Sequence, residues 1–299
     1  MEKYLFVEKY CLSETDFRNI KELEKTCKDY DNAALKLELE YRKNANTGMS
    51  DDYNDFICYC DDDIVGYVGI SKFGGRLAEV NGVVHPNHRK KGIFTYLFSM
   101  IRRELEKRQD SNFLALCDNL SPFKNVIETK YNGHLDHIEY EMFYSLNIKD
   151  KEKQKVQNIE LVKANNQDAM EIRKQNSIFE GKAIVETDSI IPEEEEKKGM
   201  TVFLIKKKHL TVGKIHLTFE GKAGGIFGFF IYPEYRGQGL GKESLYLAKN
   251  YFLNLGADKI FLQVDSVNDV AHQLYKSFGF VTESAMAYYL VDTNPKTNI

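Results

Sequence analysis

The sequence has 299 residues, of which 42% are hydrophobic and 29% are charged, and its formal net charge is -4. This composition is typical of a soluble globular protein, excludes a collagen-like or disordered chain, and gives no reason to expect a nucleic-acid partner. No apolar run approaches the roughly 18 residues of a membrane span, and the charged N-terminus lacks the apolar core of a signal peptide. We therefore expect a cytoplasmic protein without a membrane partner.

The five cysteines all lie in the first half of the chain. Because five cysteines cannot all form pairs, this number fits a reducing compartment better than a disulfide framework. Cys58 and Cys60 share one face of a predicted strand, but no second Cys or His pair completes a zinc site. We expect both to pack in a core, and no metal.

The predicted elements have the same order in both halves of the chain. A strand (3–12 and 159–164) is followed by helical sequence and then by three strand-like runs, which in the second half are 201–210, 211–219 and 224–232. A glycine-rich loop, a helix, a strand (259–265 in the second half), a second helix (268–279) and a final strand (284–291) complete the pattern. Strands that are first clustered and then alternate with helices predict an α/β fold with a mixed sheet covered by helices.

The two halves also match residue by residue. The stretches VVHPNHRKKGIF and FIYPEYRGQGLG align without a gap at a constant offset of 147, the distance from position 86 to position 233. The offset relates Pro86 to Pro233, Arg89 to Arg236, Gly92 to Gly239 and Asp118 to Asp265. Such a register indicates an internal duplication. The polar run 149–158 reads as the linker, which predicts domains at 1–150 and 156–299.

The loop RGQGLGK at 236–242 has the properties of an anion site. A helix start leaves N–H groups unpaired and carries about half a positive charge, and glycines allow the backbone to approach the anion. The candidate binding residues for a diphosphate are Arg236, Gly237, Gln238, Gly239, Leu240, Gly241 and Lys242. A nucleotide P-loop needs Ser or Thr after the lysine, where Glu243 stands, and the glycine spacing is not that of a dinucleotide loop.

This arrangement, Pro-x-x-Arg-x-x-Gly-x-Gly after a strand and before a helix, resembles the acyl-CoA loop of the GNAT superfamily of N-acyltransferases. A second stretch, QVDSVNDVAHQLYKSFGF, is similar to that superfamily's downstream signature. The matching residues are Asn268, Ala271, Leu274, Tyr275, Gly279 and Phe280. The resemblance covers the second half and, more weakly, the first, and it implies two tandem GNAT-like domains.

The resemblance implies a splayed strand pair, at 227–232 and 259–265, with the pantetheine arm of coenzyme A in the gap. A backbone N–H near Phe229 or Ile231 would then polarise the thioester carbonyl, Tyr275 would protonate the departing thiolate, and Asn268 would contact the cofactor arm. The implied cofactor is acetyl-CoA, with direct transfer to an amine and no metal. Capping of its own helix is the alternative role for Asn268.

Helix geometry supports a special position for Tyr275. Val267, Ala271, Leu274 and Phe278 recur at spacings of four, three and four, which predicts an apolar stripe, and Tyr275 lies about 100 degrees from it. The tyrosine is therefore expected to face a cleft, unless it merely flanks the core. In the same way, the helix after the glycine loop has a predicted buried stripe of Leu245, Ala248, Phe252 and Leu255. The corresponding helix of the first half has a predicted buried stripe of Leu97, Ile101 and Leu105.

A proton acceptor is harder to assign, because the strand GIFGFFIY carries no carboxylate. His216 on the preceding strand is a candidate base, although a strand histidine is more often structural. The acidic run 193–196 is a candidate attractor of a cationic amine, with a solvated loop or helix start as the alternative.

The signatures are eroded in the first half. Phe94 replaces the small residue at the Gly241 position, where its ring would crowd a diphosphate, and Glu128 stands at the Tyr275 position unless Tyr131 takes its place. Glu79 is a possible base there, or an exposed strand carboxylate. We therefore expect a non-catalytic first domain.

The prediction is an acetyl-CoA-dependent N-acetyltransferase with its chemistry in residues 156–299, acting on a primary amine of a small molecule. The alternatives are a non-catalytic acyl-CoA sensor or interaction protein, and a protein N-acetyltransferase. The acceptor, the acyl chain and the oligomeric state are not predicted.

Overall fold

The structure is a computed structural model that describes residues 3–39, 42, 52–72, 77–146, 158–181 and 191–294. The strands are β1 Tyr4–Lys9, β2 Asp55–Cys60, β3 Asp63–Ser71, β4 Ala78–Val84, β5 Asn112–Asp118, β6 His134–Ser145, β7 Glu160–Lys163, β8 Met200–Lys207, β9 Leu210–Glu220, β10 Ala223–Ile231, β11 Lys259–Asp265 and β12 Val281–Asp292. The helices are α1 Glu14–Asp31, α2 Ile93–Lys107, α3 Phe123–Tyr131, α4 Ala169–Glu180, α5 Pro192–Lys197, α6 Leu240–Leu255 and α7 Asp269–Phe278. The predicted mixed α/β architecture is confirmed.

The chain forms two compact units, one of residues 1–139 with 285–299 and the other of residues 140–284. The first unit ends at 139 where 150 was predicted, and the second spans 140–284 where 156–299 was predicted, because each unit contains a strand segment from the other half of the sequence. The last strand illustrates this, since Met286 to Asp292 of β12 pair antiparallel with β5. Most of the predicted linker, 149–158, lies outside the described residues.

The first unit has the strand order β1-β2-β3-β4-β5-β12. Only β4 and β5 within it are parallel, and they pair from Ala78–Phe113 to Val80–Ala115. One face of the sheet packs against α2 and α3, and the other packs against α1. The predicted stripe Leu97, Ile101 and Leu105 is buried, and so are Cys58 and Cys60, which confirms these expectations.

The second unit repeats this plan with the order β6-β11-β10-β9-β8-β7. Its largest core cluster lies under α6 and includes Leu245, Ala248 and Phe252, as predicted. Leu255 was expected in the same stripe, but it is 42% exposed. It is the last residue of α6, directly before the left-handed cap Gly256, and its prediction as a core residue was wrong.

None of the helices in the described ranges has the length and apolarity that a bilayer crossing requires. The acidic run 193–196 forms most of the short helix α5. Glu195 pairs with Lys198, and Glu196 pairs with Lys163. The run therefore lies at the start of a helix, as the second interpretation predicted, and two of its carboxylates pair with lysines of the same unit.

Candidate active site

The central feature of the second unit is a gap between two parallel strands. β10 and β11 are paired from Ala223–Lys259 to Ile226–Leu262, and no further pairs follow, although β10 continues to Ile231. The backbone N–H groups on that edge of β10 beyond Ile226 are therefore not used by the β10–β11 ladder. An edge of this kind can hydrogen-bond an extended ligand.

A bulge interrupts the other edge of β10 at the same level. The register between β9 and β10 shifts between Phe227 and Phe230. Gly228 in the bulge has φ +49°, and a Cβ there would lie 2.9 Å from the His216 ring. Glycine is therefore required at 228 by both its backbone conformation and the lack of space.

The glycine-rich loop follows directly at the end of β10. Gly237 and Gly239 have φ +71° and +80°, and a Cβ at either position would meet nothing within 4 Å. Gly239 is the N-cap of α6 and supplies no side chain to cap the first N–H groups of this helix. This open cradle of amides fits a diphosphate.

Charged side chains border the cradle. Arg236 donates from Nε to the Ile231 carbonyl at 2.9 Å, its guanidinium lies 5.7 Å from the Phe230 ring centre, and no carboxylate among the described residues pairs with it. The Lys242 side chain is exposed. Gln238 instead bonds within the protein, to the Glu234 carbonyl and to Lys207.

Helix α7 closes one side of the site and carries Tyr275. Tyr275 was expected to face a cleft while its neighbours faced the core, but it is the buried residue of the helix, 6% exposed, and Ala271, Leu274 and Phe278 are only partly buried. The Tyr275 ring packs in the core and meets Phe280 edge-on at 5.9 Å. Its hydroxyl makes no hydrogen bond to any residue in the described ranges. Burial raises the pKa of the Tyr275 phenol well above its ordinary value, so the group stays protonated.

The predicted apolar stripe of α7 is wrong at one end. Val267 precedes the helix and is 81% exposed, so it does not contribute to the core. Asn268 is the N-cap of the helix, and its side chain accepts a hydrogen bond from the Ala271 N–H at 3.1 Å. Leu274 lies 3.0 Å from where a Cβ of Gly241 would stand, so α6 and α7 approach closely at that glycine.

His216 is not positioned as a solvent-accessible base. It is 4% exposed, and its Nε2 lies 3.2 Å from the Lys214 ammonium. Burial, and secondarily the charge of Lys214, holds the pKa of His216 well below its ordinary value. The ring is therefore a neutral hydrogen-bond acceptor inside the sheet, so the structure gives it a structural role.

Two polar groups near the gap were missed by the sequence reasoning. On the face of β10 that carries Phe230, the Tyr232 hydroxyl donates to Glu171 Oε1 of α4 at 2.9 Å, and Gln175 donates to the same oxygen at 2.8 Å. The second group is the buried Lys214, whose ammonium donates to the Gly228 carbonyl. Neither group belongs to a sequence motif. Glu171 meets Tyr232 only because α4 packs near the end of β10, and Lys214 meets Gly228 only because β9 pairs with β10.

The first unit has the same loop with different chemistry. Arg89 donates from Nε to the Val84 carbonyl at 3.0 Å, as Arg236 does to Ile231, but both terminal nitrogens of Arg89 bond the Asp31 carboxylate at 2.7 Å. The left-handed position of Gly237 is occupied by Lys90, with φ +60°. The first-unit loop therefore keeps the backbone conformation of the second-unit loop, while Asp31 neutralises the charge of Arg89.

Aromatic rings fill the space beside the first-unit loop. Phe94 was expected to crowd a diphosphate; its ring instead turns toward α3 and contacts Phe123 at 4.7 Å, Phe98 at 5.7 Å and Tyr131 at 6.5 Å. Tyr131 is therefore a core residue and does not replace the missing phenol.

The two first-unit carboxylates also have partners. Glu128, at the Tyr275 position, hydrogen-bonds Tyr289. Glu79 is not an exposed carboxylate as one alternative held, because its side chain is mostly buried 3.9 Å from the Lys36 ammonium.

These features define a protein with two acyltransferase-like units. The residue pattern of the Acetyltransferase (GNAT) family matches residues 17–121 and 159–280, and the chain belongs to this family. The predicted tandem GNAT organisation is thereby confirmed.

Individual relatives are distant. A mycothiol acetyltransferase of Thermobispora bispora is 34% identical over 85 residues, which span 26% of this chain and 29% of that protein. A GCN5-related N-acetyltransferase from Sphaerobacter thermophilus has a similar fold, with a TM-score of 0.78 and 14% identity over 99% of this chain and 98% of that one. A tandem GNAT protein from the clavulanic acid biosynthesis pathway has a TM-score of 0.73 and 12% identity, over 98% of this chain and 100% of that one.

Proposed function

We propose that the second unit transfers the acetyl group of acetyl-CoA directly to a primary amine of a small molecule. The observation that carries the proposal is the strand gap beyond Ile226–Leu262, which opens beside the amide cradle at Gly237 and Gly239. A diphosphate in the cradle and an extended arm along the free edge of β10 are two parts of one ligand. Acyl-CoA has both parts, and enzymes of the GNAT fold use acetyl-CoA.

The loop residues would hold the diphosphate. The amides of Leu240, Gly241 and Lys242 supply hydrogen bonds at the positive end of α6, and Arg236 adds a charged donor. The free N–H groups of Phe229 and Ile231 would bond the arm and polarise the thioester carbonyl. Bound acetyl-CoA supplies the acyl carbon and the thiolate leaving group.

Tyr275 would serve as the proton donor. As the amine nitrogen bonds to the acyl carbon and the carbon–sulfur bond breaks, the thiolate takes the phenolic proton of Tyr275. A buried phenol without a hydrogen-bond acceptor is well suited to this step, because burial keeps it protonated. Solvent then returns a proton to the tyrosine.

The acceptor amine must lose protons in the same reaction. An alkylamine with a pKa of about 10.4 is neutral about once in two thousand molecules at pH 7, a cost of roughly 4.6 kcal/mol. Glu171 lies on the face of β10 opposite α6 and α7, and one carboxylate oxygen is fixed by Tyr232 and Gln175. We assign to this carboxylate the attraction of the ammonium form and the acceptance of the proton that the nitrogen loses before it attacks. The second nitrogen proton would pass to solvent as the carbon–sulfur bond breaks.

The first unit would not catalyse transfer. Arg89 is already paired with Asp31, the ring of Phe94 packs beside the loop against α3, and Glu128 stands in place of the tyrosine. Its role in this proposal is structural, and the unit completes its own sheet with residues 285–292.

The test is release of free coenzyme A thiol from acetyl-CoA in the presence of polyamines, aminoglycosides, amino acids and peptides. The proposal expects turnover with at least one small amine. Glu171→Gln should raise the KM for that amine at least about tenfold with little change in the KM for acetyl-CoA, while Glu220→Gln, an exposed carboxylate at the end of β9, should change neither. Stabilisation by acetyl-CoA without turnover of any amine would favour a sensor, and acceptance of peptides alone would favour a protein acetyltransferase.

A further inference from the structure

The second unit buries a lysine in its sheet beside the strand gap. Lys214 lies on β9 and is 3% exposed. Its ammonium donates to the Gly228 carbonyl at 3.0 Å and lies 3.2 Å from His216 Nε2. Burying an ammonium is costly unless its protons are bonded, so this group is held in place by those partners.

The peptide that Lys214 contacts is the one that carries the Phe229 N–H. The carbonyl of Gly228 and the N–H of Phe229 belong to one peptide unit, which is trans, as are all peptide bonds in the described ranges. In a trans peptide these two groups point in opposite directions. Since the carbonyl is directed to the Lys214 ammonium, the Phe229 N–H is directed away from that ammonium, at a level of β10 where pairing with β11 has ended.

The bulge makes this contact possible. Between the pairs Phe227–His216 and Phe230–Lys214, β10 has two intervening residues and β9 has one. Gly228 therefore leaves the regular ladder, and its carbonyl is bonded by a side chain.

We propose that Lys214 is a positioning residue for acyl transfer: its ammonium fixes and polarises the Gly228–Phe229 peptide, and so aims and strengthens the Phe229 N–H as the donor to the thioester carbonyl oxygen. This inference rests on the proposed function of the second unit. A hydrogen bond from a cation is about twice as strong as a neutral one, and bonding one end of a peptide strengthens the other end by roughly 10–30%. The donor then needs no rearrangement when charge develops on the oxygen.

His216 completes the arrangement as the second partner of the ammonium. Its depressed pKa keeps the ring neutral, so Nε2 accepts a hydrogen bond from Lys214 and the ring proton lies on Nδ1. The ring also lies directly against Gly228, where a Cβ would approach Nδ1 to 2.9 Å. Lysine and histidine together thus hold the bulge from one side.

The first unit lacks this device. The pairing of β3 with β4 is regular across the corresponding stretch, without a register shift. Tyr67 stands at the Lys214 position, and its hydroxyl bonds Asp55 at 2.6 Å. A buried lysine at this position is therefore found in the unit that carries Tyr275, whereas the buried cation of the first unit, Arg42, bonds the carbonyls of Asn54 and Ile70.

The test is the infrared carbonyl stretch of acetyl-CoA labelled with ¹³C at the thioester carbonyl, because this signal needs no acceptor amine. The wild-type chain should lower the frequency of the bound label relative to free acetyl-CoA, and Lys214→Met should remove most of that shift while retaining cofactor affinity within about threefold. Lys214→Arg, which keeps a cationic donor, should restore part of it. The matched control is Lys249→Met, an equally buried lysine on α6 that lies over the Tyr246 ring and should leave the shift unchanged.

Turnover provides the second measurement once an acceptor is found. Lys214→Met should lower kcat on the order of tenfold or more, with the KM for acetyl-CoA nearly constant. If Lys214→Met does not fold, Lys214→Gln replaces it, since its amide can donate to Gly228 without charge; it should lose more of the carbonyl shift than Lys214→Arg.

The outcomes separate the two proposals. Bound acetyl-CoA with the same carbonyl shift in wild type, Lys214→Met and Lys214→Gln would overturn the role of Lys214 and leave the proposed function intact. A wild-type chain that binds no acetyl-CoA would overturn both.

Discussion

Gly237 and Lys90 adopt the same left-handed backbone conformation in two loops that are 147 positions apart, with φ +71° and +60°. The arginines that precede them match as well, with φ and ψ of -71° and 163° at Arg236 and -69° and 161° at Arg89. The loop conformation is therefore shared by the two units, but only the second has the residue that adopts it without strain.

This difference predicts a stability change. A left-handed conformation costs an L-residue about 1–2 kcal/mol, and the extra unfolded-state entropy of glycine offsets about half of that. Lys90→Gly should therefore raise the free energy of unfolding by about 0.5 kcal/mol in urea titrations. Lys91→Gly, at a neighbouring residue without positive φ, should give no increase, and an equal gain from both substitutions would contradict the explanation.

Cofactor affinity should depend on the two loop arginines unequally. A charged hydrogen bond to a phosphate is worth about 1.5–3 kcal/mol, so Arg236→Gln should weaken coenzyme A binding about 10- to 100-fold in calorimetric titrations. Arg89→Gln should change it less than twofold, because the Arg89 guanidinium is occupied by Asp31. Equal losses from both substitutions would mean that the first unit also binds the cofactor.

Replacement of Tyr275 should affect turnover more than binding. Tyr275→Phe removes only the hydroxyl from a buried ring, so cofactor affinity and thermal stability should change little, while kcat should fall at least about tenfold. Tyr246→Phe, at a partly buried tyrosine of α6, is the control. A Tyr275→Phe variant with unchanged kcat would remove this residue from the mechanism.

His216 should make the stability of the second unit depend on pH. Because its folded pKa is depressed, the unfolded chain binds more protons below the ordinary histidine value, so stability is complete above about pH 6.5 and is lost as the pH falls. The loss approaches about 1.4 kcal/mol per pH unit in that acidic range. His216→Gln keeps a hydrogen-bond acceptor for Lys214 but does not titrate, so its melting temperature should fall less between pH 7 and 5. Parallel curves for the variant and the wild type would show that another group is responsible.

Local sequence predicted the elements and the loop well, because their signals are local. The spacing of Leu97, Ile101 and Leu105 predicted the buried face of α2, and the sequence predicted a helix directly after the glycine-rich loop, where α6 begins at Leu240. The errors fall at element ends. Leu255 and Val267 fit a helical period, but one is the last residue of α6 and the other precedes α7, where periodicity no longer reports packing.

The missed site residues depend on strand register, which the sequence does not show. A shift of one residue between β9 and β10 creates the bulge and brings Lys214 to Gly228. Glu171 meets Tyr232 across 61 positions, through packing of a helix on a strand end. No spacing rule connects such residues, so charge and burial reveal them only once the sheet is built.

The placement of β12 has a consequence for biosynthesis. Residues 285–292 supply the strand beside β5, so a ribosome that has made the first 150 residues has not yet made an edge that their sheet needs. That edge of the first sheet thus stays unpaired until residues 285–292 have been synthesised. Truncation before residue 285 would accordingly damage the unit that residues 1–139 form.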